Sequence, residues 1–275
     1  MEKRIQKQLT IGFIFILIIG GLGYGFVDYF FIVEPTCFDG IQNQQEEGVD
    51  CGILACGIAC EPAIMPLSVV SQKLIEVRPG DYDFVARINN PNSLFGASRI
   101  RYELNIGATQ RTGTFFVLPG QTRFLIIPGI RVDVLADAIL EIKEAEWEKV
   151  QIFDDISFSI QRKNYEAVNR NGVFSEFESV VRNNSDFDFD KVEVGIILFS
   201  QPESDQLSAG TDNIVAVNRT DIRTFLSRTE RGFRVSWPTE LPETIRQDVE
   251  VLTNVFENAN FIRRYGTQER FQKYY

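Results

Sequence analysis

The longest uninterrupted apolar stretch of the chain lies close to its N-terminus. Residues 9–27 read LTIGFIFILIIGGLGYGFV and contain no charged side chain. A helix needs about 20 predominantly apolar residues to cross the hydrocarbon core of a bilayer. The pattern therefore predicts a transmembrane segment, placed at residues 9–33, which follows a short tail of residues 1–8.

Beyond residue 62 the apolar positions alternate with polar ones. In residues 98–105, SRIRYELN, Ser, Ile, Tyr and Leu occupy every second position, and Arg, Glu and Asn occupy the others. This period of two is typical of a strand with one buried face. Similar short segments recur and are separated by Pro-Gly, Asn-Pro and Asn-Gly pairs, which form turns. The pattern predicts a mainly β protein.

The β-rich part contains an internal similarity. The Asn89-Asn90 pair before one predicted strand matches Asn183-Asn184 before another, 94 residues later, and the strand residues that follow match at the same offset. Thr114-Phe115 matches Thr224-Phe225 at an offset of 110. Repetition of this kind predicts two sequential β-sandwich domains, at residues 62–150 and 151–260, followed by a C-terminal tail at 261–275.

The distribution of charge predicts the orientation in the membrane. Three cations precede the apolar stretch, whereas residues 28–61 contain seven acidic side chains and no Lys or Arg. The positive-inside rule then places residues 1–8 in the cytoplasm and the C-terminal domains outside the cell membrane. An uncleaved signal anchor is favoured over a signal peptide, because the apolar run exceeds the usual ~7–15 residues and no A-x-A site follows it. The net charge of −10 predicts that nucleic acid is not a partner.

All four cysteines lie in a segment that we interpret as a spacer, residues 34–61. They are Cys37, Cys51, Cys56 and Cys60. An even number of clustered cysteines outside the cell favours two disulfides, and three pairings are open. Their spacing lacks the paired C-x₂-C units of a typical zinc site.

The same segment is rich in side-chain oxygens. Because Ca²⁺ binds six to eight oxygen ligands, a calcium site is one interpretation, and it is the single cofactor that the sequence suggests. The alternative is a solvated loop whose Asp and Asn side chains form local turns. EF-hand spacing is absent. The candidate calcium ligands are Asp39, Asn43, Glu46, Glu47 and Asp50.

Composition excludes the commonest catalytic groups. The chain has no histidine, which removes Ser-His and Cys-His nucleophiles and histidine bases. Three carboxylates, Asp186, Asp188 and Asp190, alternate with two phenylalanines. They fit either a cation or acid–base site, or a solvated strand with its rings in the core, and we favour the strand. The prediction is a protein that is not an enzyme.

Three segments resemble known families. Residues 37–51, CFDGIQNQQEEGVDC, resemble a short cysteine motif of bacterial surface proteins. Residues 84–106 resemble the WHy domain of desiccation-related late-embryogenesis-abundant proteins, on Asn90, Pro91, Asn92, Tyr102 and Leu104. Residues 180–200 resemble the related FxLYD domain of bacterial cell-surface proteins. Both domain families are immunoglobulin-like sandwiches without an active site, so the resemblance implies fold and a non-catalytic role.

Together these features predict two tandem immunoglobulin-like β-sandwich domains on a single N-terminal transmembrane helix. The expected function is a non-catalytic binding or scaffolding protein of the cell surface, with a protein or cell-wall partner. Edge strands of a sandwich can accept a strand of a partner, which supplies one binding mode. The alternatives are a structural subunit of an envelope assembly and a carboxylate-based hydrolase.

Overall fold

The structure is a computed structural model that describes residues 2–27, 37–42, 45–150, 156–200, 213–241 and 244–262. Contacts within the chain define two compact units, Met1–Ala63 and Ile64–Tyr275. The first unit contains two helices and two disulfides. The twelve strands of the described residues all lie in the second unit.

The first unit begins with helix α1 (Glu2–Val27). Within Arg4–Val27 of this helix, an 18-residue window has a mean hydropathy of 2.1 and is not buried by the rest of the chain. At 1.5 Å per residue the Arg4–Val27 span measures about 36 Å, which exceeds the ~30 Å of a bilayer core. The predicted N-terminal helix is therefore confirmed as long and apolar enough to cross a membrane. The last residues of the predicted segment, 28–33, lie outside the described residues.

The strands that the structure describes in the second unit all pair antiparallel, which confirms the mainly β fold, and a single 3-10 turn (Asn258–Asn260) follows the last of them. They form four sheets of three strands each. The strands are β1 (Ser68–Arg78), β2 (Asp81–Asn89), β3 (Phe95–Ile106), β4 (Thr109–Val117), β5 (Thr122–Arg131), β6 (Ala138–Lys149), β7 (Phe158–Arg170), β8 (Val173–Asn183), β9 (Phe189–Ser200), β10 (Ile214–Phe225), β11 (Glu230–Trp237) and β12 (Thr244–Leu252).

The strands form two sandwiches with the same internal order. Sheets β1-β2-β5 and β4-β3-β6 form sandwich 1, and sheets β11-β8-β7 and β10-β9-β12 form sandwich 2. Strands β7 to β12 thus repeat the topology of β1 to β6. Alternate residues of each strand supply the two cores, as the period of two predicts. The fully buried side chains include Phe84, Ile88, Ile100 and Leu104 in sandwich 1, and Phe177, Phe189, Ile196 and Phe225 in sandwich 2.

The structural repeat is shifted from the one that the sequence suggested. The backbone N–H of Asn90 donates to Gln121, and that of Asn183 donates to Thr229, at the same corner of each sandwich. The equivalent positions are therefore 93 residues apart at the corner and 108 in the later strands. At the corner the predicted offset of 94 was wrong by one residue, because Asn89 and Asn184 look like the corner residues in sequence and differ from them in role. The predicted offset of 110 was wrong by two residues, whereas strands β3 and β9 begin 94 residues apart, as predicted.

The two sandwiches pack against each other face to face. The outer face of sheet β1-β2-β5 supplies Ile75, Val85 and Ile126, and the outer face of sheet β10-β9-β12 supplies Ile197, Phe199, Ile214 and Val217. Strands β2 and β9 are consequently buried on both faces. Gly195 of β9 allows this approach, because a Cβ atom there would lie 3.2 Å from Cδ1 of Ile126.

Candidate functional site

The cysteine segment is closed by two disulfides, in agreement with the sequence prediction. Cys37 pairs with Cys56, and Cys51 pairs with Cys60. This is one of the three pairings that the sequence left open. Gly48 is required at its position, because a Cβ atom there would lie 2.9 Å from the sulfur of Cys51. The short helix α2 (Ile53–Cys56) begins two residues after Cys51 and ends at Cys56, so it links one disulfide to the other along the chain.

The acidic side chains of this segment form local turns. The carboxylate of Asp50 accepts the backbone N–H groups of Asp39 at 3.0 Å and of Gly40 at 2.9 Å. The carboxylate of Asp39 accepts the N–H of Ile41 at 2.9 Å. These contacts are the turn-forming role that the sequence offered as the alternative to metal binding.

The remaining candidate calcium ligands have different environments. Glu46 is buried and Glu47 is exposed, whereas Asn43 lies outside the described residues. One group of side chains in the described part of the chain is close enough to share an ion, and it contains Cys37, Glu46 and Cys56. Both sulfurs belong to one disulfide, which leaves a single carboxylate as a ligand. Calcium binding stays a prediction.

The surface of the cysteine segment carries large apolar side chains beside its polar ones. Among its described residues Glu46 is the one buried charged side chain, while several large hydrophobic side chains are exposed. A segment held by disulfides needs no hydrophobic core, so its apolar residues remain available for contacts with other molecules. The exposed residues are Phe38, Ile41, Val49, Ile53, Leu54 and Ile58.

Asn90 and Asn183 hold the corners of the two sandwiches. The side-chain amide of Asn90 donates to the carbonyl groups of Phe95 at 2.8 Å and Leu118 at 2.9 Å. The amide of Asn183 donates to carbonyl groups of the equivalent strands, including that of Phe187 at 2.8 Å. Both side chains are buried, and their hydrogen bonds are internal. The Asn-Pro-Asn element is therefore a structural corner.

The alternating Asp and Phe residues at 186–190 also have a structural role. Phe187 and Phe189 are in the core of sandwich 2, as the favoured interpretation predicted. The side chain of Asp186 pairs with Arg228 at 3.0 Å. The buried carboxylate of Asp188 accepts the backbone N–H of Ser227 at 2.6 Å. These carboxylates anchor the neighbouring loop to the corner.

The most distinctive polar contacts of the second unit lie where the two sandwiches meet. Strand β5 is at the edge of its sheet, and side chains of sandwich 2 bind its outward backbone groups. The carboxylate of Glu250 on β12 accepts the N–H of Phe124 at 3.2 Å. The guanidinium of Arg219 on β10 donates to the carbonyl of Ile126 at 3.3 Å. Sandwich 2 therefore supplies partners that a neighbouring strand would normally provide.

A buried arginine lies beside these contacts. Arg123 on β5 donates to the carbonyl of Phe116 at 2.6 Å and to the carboxylate of Glu193 on β9 at 3.3 Å. Its Nε atom is buried and has no hydrogen-bond partner among the described residues. The arginine is thus held in place with part of its hydrogen-bonding capacity unsatisfied, which is costly for a buried group.

The carboxylates of this region have opposite pKa shifts. Burial raises the pKa of Glu250 to about 7, although Arg123 and the N–H of Phe124 lower it. Burial also disfavours the anion of Glu193, but Arg123 and Lys191 outweigh it and hold the pKa of Glu193 below its usual range. Glu250 therefore changes its charge near neutral pH, while Glu193 stays ionised.

Sequence reasoning did not predict this contact region. One signal was present, because residues 196–199 form an uninterrupted apolar run, IILF, where the preceding residues alternate. A continuous run of this kind is typical of a strand that is buried on both faces. Nothing local in the sequence distinguishes Glu250 or Arg123 from exposed charged residues.

A cleft of about 470 Å³ opens beside the start of strand β7 and the end of β12. Its polar lining among the described residues consists of Gln121, Ser157 and Thr253, and the rest is aliphatic or aromatic. None of these groups is an acid or base near neutral pH.

Comparison of the sequence with models of known protein families, and with curated proteins, finds no match. The resemblances to WHy domains, FxLYD domains and the cysteine motif stay predictions.

Proposed function

We propose that this chain is a membrane-anchored, extracytoplasmic protein that binds or scaffolds other molecules and catalyses no reaction. The observation that carries the proposal is the face-to-face packing of the two sandwiches through an apolar cluster that includes Val85, Ile126 and Ile197. Such packing makes two modules into one body, which suits a protein that holds partners at a fixed geometry.

Two features support the location. Helix α1 is long and apolar enough to anchor the chain, and the two disulfides are typical of oxidising compartments. The cations that precede the apolar stretch favour an outward orientation of the second unit. A membrane-impermeant thiol reagent tests this on intact cells after mild reduction. Labelling of the cysteines only after lysis would contradict the proposed orientation.

The edge strand β7 is the binding surface that we propose first. It is 13 residues long, and among the strands that the structure describes its one neighbour in the sheet is β8. Most of its central side chains are exposed, including Arg162, Lys163 and Asn164. An extended segment of a partner can add to such an edge through backbone hydrogen bonds.

Photo-cross-linking on intact native cells tests this function. A photoreactive amino acid replaces Asn164 on β7 or, as the control, Arg101 on β3, which is exposed but central in its sheet. We expect one protein or cell-wall partner to be captured from position 164 and little from position 101. Equal yields at both positions would contradict an edge-strand contact. Adducts between copies of this chain alone would instead favour a structural subunit of an envelope assembly.

A further inference from the structure

The contact between the two sandwiches contains an ionisable group in an unusual place. Glu250 lies on sandwich 2, and its side chain binds the N–H of Phe124 on the edge strand of sandwich 1. The residue is half-buried where the two sandwiches meet, and its carboxylate is largely withdrawn from water there, whereas glutamate side chains are normally exposed. The protonation of this one side chain therefore depends on whether the sandwiches are in contact.

Charged side chains from every strand around Glu250 determine how the buried carboxylate responds. Arg123 is the cation that lowers the pKa of Glu250, and it already binds Glu193 at 3.3 Å. Lys191 also binds Glu193, at 3.0 Å. When Glu250 ionises, Arg123 has to interact with two carboxylates, because Glu193 is ionised at all physiological pH values. The other charged groups that bind across this contact are Lys73 on β1, which donates to the carbonyl of Ile214, and Arg219 on β10.

We propose that Glu250 makes the contact between the two sandwiches a proton-sensitive joint, closed firmly when the carboxyl is protonated and loosened when it ionises. A protonated carboxyl still accepts the N–H of Phe124 through its carbonyl oxygen, and it places no charge in the apolar contact. The ionised carboxyl keeps that hydrogen bond but adds a second anion beside a single arginine. The inference does not depend on the identity of any partner.

The sign of the effect follows from proton linkage. Burial raises the pKa of Glu250 from 4.5 to about 7, so the packed state binds the proton more tightly than the separated state. Packing is then favoured at low pH and is weakened as the pH rises through the interval between these two values. A shift of this size corresponds to a change in the packing equilibrium on the order of 100-fold.

Native-state hydrogen exchange of the full chain in detergent micelles measures this equilibrium. The probe is the amide of Phe124, whose exchange requires its contact with Glu250 to open. After correction for intrinsic exchange rates, we expect its protection to fall on the order of 100-fold between pH 5 and pH 8.5. The variant Glu250→Gln keeps an acceptor oxygen and cannot ionise, so its protection should stay constant.

The control is Glu230→Gln, at an exposed glutamate on β11 that pairs with Arg182. This variant should behave as the native chain does. Equal protection of Phe124 at both pH values in the native chain, or the same fall in Glu250→Gln, would overturn the proposal. Carbon NMR of the native chain gives an independent result: a Glu250 carboxyl that titrates near 4.5 would also overturn it, even if the variant failed to fold.

Discussion

Replacement of Asn90 by alanine should destabilise sandwich 1 strongly. The side chain is 1% exposed, and it joins three segments of the chain. Its amide donates to Phe95 and Leu118, and its oxygen accepts the backbone N–H of Asn92 at 3.0 Å. Alanine removes all of these bonds, together with the one that the side-chain amide of Asn92 donates to the same oxygen at 2.9 Å. The carbonyl of Phe95 and the two N–H groups of Asn92 then lose a partner in a buried corner, whereas the carbonyl of Leu118 keeps the N–H of Gln121.

The expected cost follows from those three groups. A buried polar group that loses its partner costs about 1–3 kcal/mol, and water entering the space left by the amide recovers part of this. We expect the free energy of unfolding to fall by about 3–4 kcal/mol, a large part of the total stability of an ordinary domain. The neighbouring Asn89 is the matched control. It is half-buried and makes one side-chain bond, to Thr122, so its replacement should cost about 1 kcal/mol.

Urea unfolding of the full chain with intact disulfides measures the difference. Trp147 lies in sandwich 1 and Trp237 in sandwich 2. In a Trp237→Phe background, the fluorescence of Trp147 reports on sandwich 1 alone, and both asparagine variants are compared in that background. If Asn90→Ala and Asn89→Ala shift the midpoint equally, the assignment of Asn90 as the corner residue is refuted.

Three further predictions follow from the structure. The variant Gly195→Val should destabilise the second unit by about 2–3 kcal/mol in the same urea assay, because the added side chain overpacks against Ile126. The control is Gly232→Val, which should cost less than about 1 kcal/mol, since the nearest atom lies 3.8 Å from an added Cβ. Because the pKa of Glu250 is raised in the folded chain, the free energy of unfolding should fall by about 3 kcal/mol as the pH rises from about 4.5 to above 7, at 1.36 kcal/mol per pH unit. The variant Glu250→Gln should lack this pH-dependent loss of stability. Reduction of the two disulfides, which close loops of 19 and 9 residues, should lower the free energy of unfolding of the cysteine segment by about 3 kcal/mol each and allow a glutamate-specific protease to cleave after Glu46. Cleavage after the exposed Glu240 in both states is the internal control, and resistance of Glu46 after reduction would contradict the prediction.

Local patterns predicted the elements of this fold well. The alternation in residues 98–105 identified the buried face of β3, since Ile100, Tyr102 and Leu104 all lie in the core. The uncharged stretch at residues 9–27 identified helix α1, because the length of a helix that crosses a bilayer is set by the bilayer itself. In both cases a single physical constraint, burial of one strand face or the thickness of the bilayer, acts on neighbouring residues and is therefore visible in the local sequence.

Contacts between distant residues were beyond such patterns. The sequence could not choose among three disulfide pairings, because each depends on how the loop closes rather than on spacing. Glu250 and Arg123 look like ordinary surface charges in the sequence, although Arg123 is buried and Glu250 is half-buried where the two sandwiches meet. The alignment of the two repeats was off by one residue at the corner, because Asn89 and Asn90 are chemically identical and differ only in the direction of their side chains.

The packing of the sandwiches has a consequence for self-assembly. Sheet β1-β2-β5 of the first repeat contacts sheet β10-β9-β12 of the second, and these sheets are not equivalent in the repeat. Contacts between non-equivalent surfaces can extend without limit into a fibre.

In this protein the two outer sheet faces, where a further sandwich would have to stack to extend a fibre, carry ion pairs instead of an apolar cluster. Sheet β4-β3-β6 carries Arg101 paired with Glu144, and sheet β11-β8-β7 carries Arg182 paired with Glu230. Burying these charges would cost more than it gains, so the stacking ends after two sandwiches. The charged outer faces therefore prevent further stacking, and apolar replacements on both of them would let copies of the chain polymerise.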